Sequence, residues 1–504
     1  AVISRDRLGV KPMYYARAGD LLVFGSELKS VLASGLVGTE LDYAAIDAYL
    51  TLGFFPGPQT PLAEVSKLMP GHRLVVADGQ VKLEQYWQFP SPAPVSGISA
   101  SEHAERVLHE LEDAVRVRLM SDVPLGAMLS GGLDSSLIVG LMARNMSEPV
   151  KTFSVGFREA GADNELADAR YVSGVFGTDH HELELSFDEQ AIDLADLVWS
   201  MDEPLADLSS LGFLGLSELA SRHVTVALAG QGADELFGGY RKHRAAAIAR
   251  SWNRLPNPMR RAGLALASRG PARAQRAVGT LQAGDPAARL LAMSGHFPNG
   301  LRSQLVRGPL ADLDGNAGRR VIENRLNGTS SEPLATTLYL DSQLGLVDDM
   351  LHYFDRASMA HSIEVRVPFL DHNLVEYSAT IPSELKVRRL TTKYVLKEAA
   401  RGLVPDRVID RRKVGFFNSA VDSWFTAQTD GVIADYLLDP SPHYGDFIDR
   451  TRVESLVRDH ASGADRSHGY ALLSILMLEI WLSSFLPRAT ASATTPVAVG
   501  EAAG

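Results

Sequence analysis

The chain has no cysteine in 504 residues, which excludes disulfides, zinc–thiolate sites and a cysteine nucleophile. No apolar run approaches the roughly 20 residues that span a bilayer. No signal peptide is visible, and because the first residue is Ala1 the natural start is expected to lie further upstream. Basic residues are in the minority, 49 Lys and Arg against 61 Asp and Glu, giving a net charge of -12. With a pI near 5.6, general binding to nucleic acid or to an anionic membrane is disfavoured. What remains is an ordinary globular composition, 45% apolar and 22% charged. A chain of this length predicts two or three domains with ample core. The expected location is cytoplasmic and the expected partners are small molecules, with room for a homodimer.

The front of the chain, residues 1–92, carries short strand-like runs such as Leu21-Leu-Val-Phe-Gly25 and His72-Arg-Leu-Val-Val-Ala77. Phe89-Pro-Ser-Pro-Ala-Pro-Val-Ser-Gly97 reads as a linker. Ser99 and Glu102 form a capping box that opens a helix with Val107, Leu108, Leu111 and Val115 on one face. Strands at 127–130, 152–157, 182–185 and 224–229 then alternate with helices, the pattern of a doubly wound parallel sheet. Ligands of such sheets bind beyond the carboxyl ends of strands. A helical insertion spans about 244–335, and its residues 244–325 hold fourteen arginines against four acids. That excess reads as a solvated face sooner than a nucleic-acid patch. Residues 489–504 read as a disordered tail, which would leave 98–488 as the second domain.

The richest stretch is Ala127-Met-Leu-Ser-Gly-Gly-Leu-Asp-Ser-Ser136, running into Leu137-Ile-Val-Gly-Leu-Met-Ala143. It reads as buried strand, small-residue loop and helix. Gly131 and Gly132 let backbone approach an anion closely; Ser130, Ser135 and Ser136 add hydroxyls, and the helix start presents free N–H groups. The loop suits phosphate, yet no Gly-Lys-Ser/Thr follows, so it is not a Walker loop. Asp134 within the turn would repel phosphate unless a divalent cation bridged the two. The chemistry read here is ATP held by its pyrophosphate end, with Mg²⁺ on Asp134. Ser-Gly-Gly-Leu-Asp-Ser-Ser resembles the loop of the ATP pyrophosphatases, which cleave ATP between the α- and β-phosphates and transfer AMP to an acid.

A second element, Val226-Ala-Leu-Ala-Gly-Gln-Gly-Ala-Asp-Glu-Leu-Phe-Gly-Gly-Tyr240, repeats strand, glycine loop and acid, with a short helix stopped by Gly238-Gly239. Neighbouring helical residues diverge by about 100°, so Asp234 and Glu235 cannot face one ion. Asp234 is the second Mg²⁺ ligand candidate, and Glu235 is the candidate for orientation or proton transfer. In Thr391-Thr-Lys-Tyr-Val-Leu-Lys-Glu-Ala-Ala400 a helix would put Lys393 and Lys397 on one face. On spacing alone each reads as a surface charge.

Together these pieces resemble the glutamine-hydrolysing asparagine synthetases. The resemblance also takes in Phe153-Ser-Val-Gly-Phe157, Ile363-Glu-Val-Arg-Val-Pro-Phe-Leu-Asp371 and Lys413-x-Gly-Phe416. It implies an ATP-pyrophosphatase fold of the adenine nucleotide α-hydrolase type, preceded by part of an α+β N-terminal-nucleophile glutaminase domain. By resemblance, Leu129 and Val155 line the adenine pocket and Gly230 lies near the ribose. Ser130, Gly132, Asp134 and Ser135 hold pyrophosphate and metal with Asp234, and Lys393 is the catalytic lysine. The implied reaction adenylates the aspartate side-chain carboxylate, which ammonia attacks to give asparagine, AMP and pyrophosphate. Ser4-Arg-Asp-Arg-Leu-Gly-Val-Lys-Pro-Met-Tyr-Tyr15 resembles the closing third of the glutaminase domain. In that family the domain begins with a nucleophilic cysteine, so this chain is expected to begin mid-domain and not to hydrolyse glutamine.

One departure concerns mechanism: the family usually has an acid between the glycines of the second loop, and Gln231 stands there. Glutamine cannot accept a proton from the attacking amine, leaving Glu235, Asp207 or the departing phosphate. Phe417-Asn-Ser replaces a frequent proline. His180 and His181 lack a third ligand and read as structural. Three alternatives stay open: an amidotransferase for another carboxylate (a sugar acid, a peptide or a ring closure, as in β-lactam synthetases), a silent nucleotide-binding regulator, and, least favoured without cysteine, a tRNA-modifying sulfur transferase.

Overall fold

The front of the chain folds as β1 (Val2–Ser4), β2 (Tyr14–Ala18), β3 (Leu21–Gly25), β4 (Val65–Lys67), β5 (His72–Ala77) and β6 (Gln80–Gln85). They pair as two antiparallel sheets, β1–β5–β6 and β3–β2–β4. Asp78-Gly79, both with positive φ, closes the β5–β6 hairpin in the way a two-residue turn requires. The helix Tyr43–Leu52 is capped by Asp42, whose side chain accepts from Ala45 N. In this computed structural model the described residues are all except 159–160, 162–163, 187–192, 254, 269–279, 281–282, 298–299, 327–331, 412–423, 426–427, 429–430 and 492–504. The motif at Lys413–Phe416 and the departure at Phe417 lie outside them.

After residue 98 the expected capping box is present on the helix Ala100–Arg118, which buries Val107, Leu111 and Val115. There follow β7 (Leu125–Met128), β8 (Lys151–Phe157), β9 (Asp179–Leu185), β10 (Val226–Leu228) and β11 (Glu364–Arg366). All run parallel in one sheet ordered β11–β10–β7–β8–β9. The chain passes from β7 to β8 and β9 on one side, then to β10 and β11 on the other. The order therefore reverses between β7 and β10, where a doubly wound sheet leaves its ligand crevice.

Several sequence expectations are corrected. The presumed linker is pinned, since Ala93 N and Val95 N donate to the carbonyls of Ala379 and Thr380 (both 2.9 Å). Arginines of the helical insertion are not all solvated: Arg302 binds the buried Asp47 (2.5 Å) and Arg289 is itself buried. The helix Leu486–Ala491 runs past Arg488, and the remainder of the expected tail lies outside the described residues. Among the described residues one helical stretch, Gly469–Ala491, is long and apolar enough to cross a membrane by length and composition, with mean hydropathy 1.7. Of that window 78% is buried inside the protein, so it packs as a core helix. Its apolar run is broken by Glu479, which is buried and accepts from the backbone N–H of His443 (3.1 Å) and Tyr444 (2.8 Å).

Candidate functional site

β7 and β10 lie side by side and deliver the two glycine loops to the same edge of the sheet. The contact between the loops is tight: a Cβ on Gly230 would stand 3.0 Å from Ser135 N and 3.1 Å from Asp134 Cβ. Gly131 has φ +71° and sits against the helix Leu166–Phe176, where a Cβ would fall 2.6 Å from Ala169 N. Only glycine fits that position. Within the loop Gly132 N donates to Ser130 Oγ (3.3 Å), and Ser130 N donates to Ser135 Oγ (3.2 Å). Ser136 is wholly buried. Leu129, just past β7, and Val155, within β8, are both buried, and the Ser154 hydroxyl donates to the Leu129 carbonyl.

The two loop acids meet at one cation. Lys393 Nζ lies 2.5 Å from Asp134 Oδ2 and 2.6 Å from Asp234 Oδ1. Lys393 is not on the helical face that the sequence suggested, nor is it a surface charge. It is 6% exposed, has φ +52°, and caps a helix that starts only at Tyr394. Burial alone would lower its pKa, but the charges of Asp134 and Asp234 raise the ammonium well above its ordinary value.

The short helix Ala233–Phe237 ends at Gly238 with φ +81°, as its glycines imply. It turns its two acids apart: Asp234 joins Lys393, whereas Glu235 is buried and accepts from the Tyr240 hydroxyl at 2.5 Å. Burial, then Glu235, pushes the Tyr240 phenol well above its usual range. Behind this pair His243 Nε2 bonds Asp341 Oδ2 (2.7 Å), and Lys242 Nζ donates to Asp341 Oδ1 (2.8 Å). Gln231 Oε1 is buried without a hydrogen-bond partner among the described residues. The Asp207 carboxylate accepts from Ser209 N at 2.8 Å. His180 is engaged by Glu182 (3.0 Å) and Thr152 (2.8 Å), as a structural histidine would be. Sequence reasoning missed Tyr240, His243 and Asp341; the Gly-Gly-Tyr ending of the second loop was the available signal for the first.

A divalent cation fits the two carboxylates, because they converge on a single positive charge in this structure. Asp134 and Asp234 would hold it. No group of three or more His, Cys, Asp or Glu that could hold a metal occurs among the described residues. Two carboxylates are nevertheless what Mg²⁺ takes when substrate phosphates and water complete its shell.

The chain matches the asparagine synthase family over residues 106–483 and the glutamine amidotransferase domain over residues 1–87. It is 32% identical over 491 residues to asparagine synthetase [glutamine-hydrolyzing] 1 of Bacillus subtilis, covering 95% of this chain and 74% of that one. A putative asparagine synthetase of Mycobacterium tuberculosis is 29% identical, over 96% of this chain and 74% of the relative. The amidase chyE of Penicillium rubens is 30% identical, over 82% of this chain and 67% of the relative.

Proposed function

The chain belongs to the asparagine synthase family, and from that premise we propose that it activates a carboxylate with ATP and converts it to an amide. The observation that carries this reading is the meeting of Asp134 and Asp234, from two glycine loops, on the Lys393 ammonium. A carboxylate oxygen of the acceptor attacks the α-phosphorus, and the bond to the β-phosphate oxygen breaks to release pyrophosphate. An amine then attacks the acyl carbon and AMP leaves.

Backbone N–H groups at the start of the helix Leu133–Asn145 and the hydroxyls of Ser130 and Ser135 receive phosphate oxygens. Leu129 and Val155 offer an apolar wall for adenine, with Gly230 beside the ribose. Mg²⁺ on Asp134 and Asp234 would neutralise pyrophosphate charge. Lys393 places a fixed positive charge where the oxyanion and the departing phosphate develop theirs. Glu235, oriented by Tyr240, is the carboxylate within the second loop that can take the proton Gln231 cannot accept.

Aspartate is the acceptor this reading favours, because synthetase-named relatives match nearly the whole chain. A second reading, amidation of a different carboxylate, is favoured by Gln231 and by the amidase-named relative. Phosphorus NMR of the nucleotide products tests the shared core of both. AMP with pyrophosphate supports adenylation, while ADP with phosphate overturns it.

A further inference from the structure

Asp341 belongs to the helix Pro333–Gln343, outside both glycine loops, yet its buried carboxylate meets the residues that follow the second of them. Its two oxygens are divided: Oδ1 accepts from Lys242 Nζ (2.8 Å) and Oδ2 meets His243 Nε2 (2.7 Å). Burial alone would raise this carboxyl, but Lys242 and the His243 hydrogen bond hold it below its ordinary value, so it is an anion.

The proton arrangement of the His243 ring follows from its neighbours. Tyr240 N can only donate, and it donates to Nδ1 (3.2 Å), so Nδ1 carries the lone pair. Burial keeps the ring neutral, which puts its proton on Nε2, facing Asp341. Both residues held by Asp341 return to Tyr240. His243 clasps its backbone, since His243 N also donates to the Tyr240 carbonyl (3.1 Å). The Lys242 ammonium lies 5.3 Å from the centre of the Tyr240 ring. The Tyr240 hydroxyl in turn donates to Glu235 Oε1 (2.5 Å). The residue before Tyr240 abuts the paired charges of the two loops: a Cβ on Gly239 would overlap Asp234 Oδ1 and Lys393 Cε. A continuous series of contacts therefore joins Asp341 to a carboxylate of the second loop.

We propose that Asp341 is a positioning residue for amide formation: it orders His243 and Lys242, these fix Tyr240, and Tyr240 aims the Glu235 carboxylate at the attacking amine. This rests on the reading that the chain amidates an adenylated carboxylate and that Glu235 accepts the proton. As nitrogen bonds to the acyl carbon and the C–O bond to AMP breaks, Glu235 takes the proton that nitrogen sheds. Asp341 transfers no proton itself.

The test separates the two half-reactions of the full chain, supplied with Mg·ATP and aspartate. Pyrophosphate exchange into ATP reads adenylation, and asparagine formed from ammonium chloride reads the amine step. Asp341→Asn should slow asparagine formation about ten-fold, part of the ~10²–10⁴ that a positioned proton acceptor supplies. Exchange should stay within about two-fold of the parent. Per unprotonated ammonia, the acidic limb of asparagine formation should move up by about one pH unit, because Glu235 without the Tyr240 donor is less stabilised as an anion. Tyr240→Phe should act alike, and adding Asp341→Asn to it should cost little more, since nothing is left to aim. If Asp341→Asn fails to fold, Lys242→Gln, at a side chain 25% exposed, carries the same comparison. Unchanged rates, equal losses in exchange and asparagine formation, an unmoved acidic limb, or full additivity with Tyr240→Phe would overturn the proposal. Exchange without any asparagine in the parent would overturn it too, because no amine step would exist to assist. A parent that shows no exchange would instead count against the adenylation reading.

Discussion

Lys393 is the side chain on which two loops depend, since Asp134 and Asp234 both lie within ion-pair distance of its Nζ. Lys393→Ala should therefore cost amide formation about 10²–10³-fold, by analogy with removing an oxyanion donor. Affinity for the ATP analogue should change far less. Equal losses in the two assays would make the lysine a ground-state ligand. At this scale the sequence was legible where chemistry and spacing coincide. Asp134 and Asp234 stand in glycine loops after strands, and the structure brings them together. Lys393 was legible only through family resemblance, because its spacing from Lys397 reads as a helical surface pair. A lysine in the left-handed region leaves no mark in the sequence. The Tyr240–Glu235 contact was hidden because five residues of chain had to fold back through Gly238 and Gly239 to make it.

At the scale of elements, the first loop is shaped by Gly131, whose φ of +71° and closeness to the helix Leu166–Phe176 leave no room for a side chain. Gly131→Ala should lower stability by ~2 kcal/mol or more through backbone strain and overlap, and should weaken ATP-analogue binding at least ten-fold. Denaturant unfolding and calorimetry check both, and unchanged values would mean that the loop tolerates a Cβ. The four expected strands of the parallel sheet are present with ends shifted by a few residues, because apolar runs mark strand centres better than strand ends. β11 went unread: Glu364-Val-Arg366 has one buried residue between two charged ones and is a strand only through pairing with β10. His296, at the end of a short helix of the insertion, gives this scale a pH dependence. Its value of about 4 lies below the ordinary 6.5, so between those pH values the unfolded chain binds a proton that the folded chain does not. Its contribution to stability is thus present above pH 6.5 and lost as pH falls toward 4. Thermal melts should show a shallower acid slope for His296→Gln than for the parent, and identical slopes would contradict the assignment.

For the whole molecule, the decisive feature is a polar seam between the front sheets and the parallel-sheet region. Lys67 Nζ lies 2.7 Å from Glu203 Oε2, 3.8 Å from Asp348 Oδ1 and 2.6 Å from the Phe55 carbonyl, with all three ionic side chains buried. Lys11 reaches Asp355 at 2.7 Å, and Asp202 accepts from Lys29 N at 3.1 Å. Breaking a buried pair strands the other charge, so Lys67→Met should cost about 3–5 kcal/mol in denaturant unfolding. Adding Glu203→Gln should recover part of that loss. A single variant as stable as the parent would show that the seam does not hold the two regions together. None of these pairs was legible, because their partners are far apart in sequence and nothing local marks a charged residue as buried.

In the proposed reaction the two glycine loops and Lys393 act as one adenylating centre serving amide synthesis. The most direct measurement supplies the chain with Mg·ATP, aspartate and ammonium chloride, and follows pyrophosphate and asparagine in the same sample. Matched, aspartate-dependent formation of both, abolished in Asp134→Asn, is the predicted result. Pyrophosphate that appears without any carboxylate acceptor, or that persists in Asp134→Asn, would contradict it.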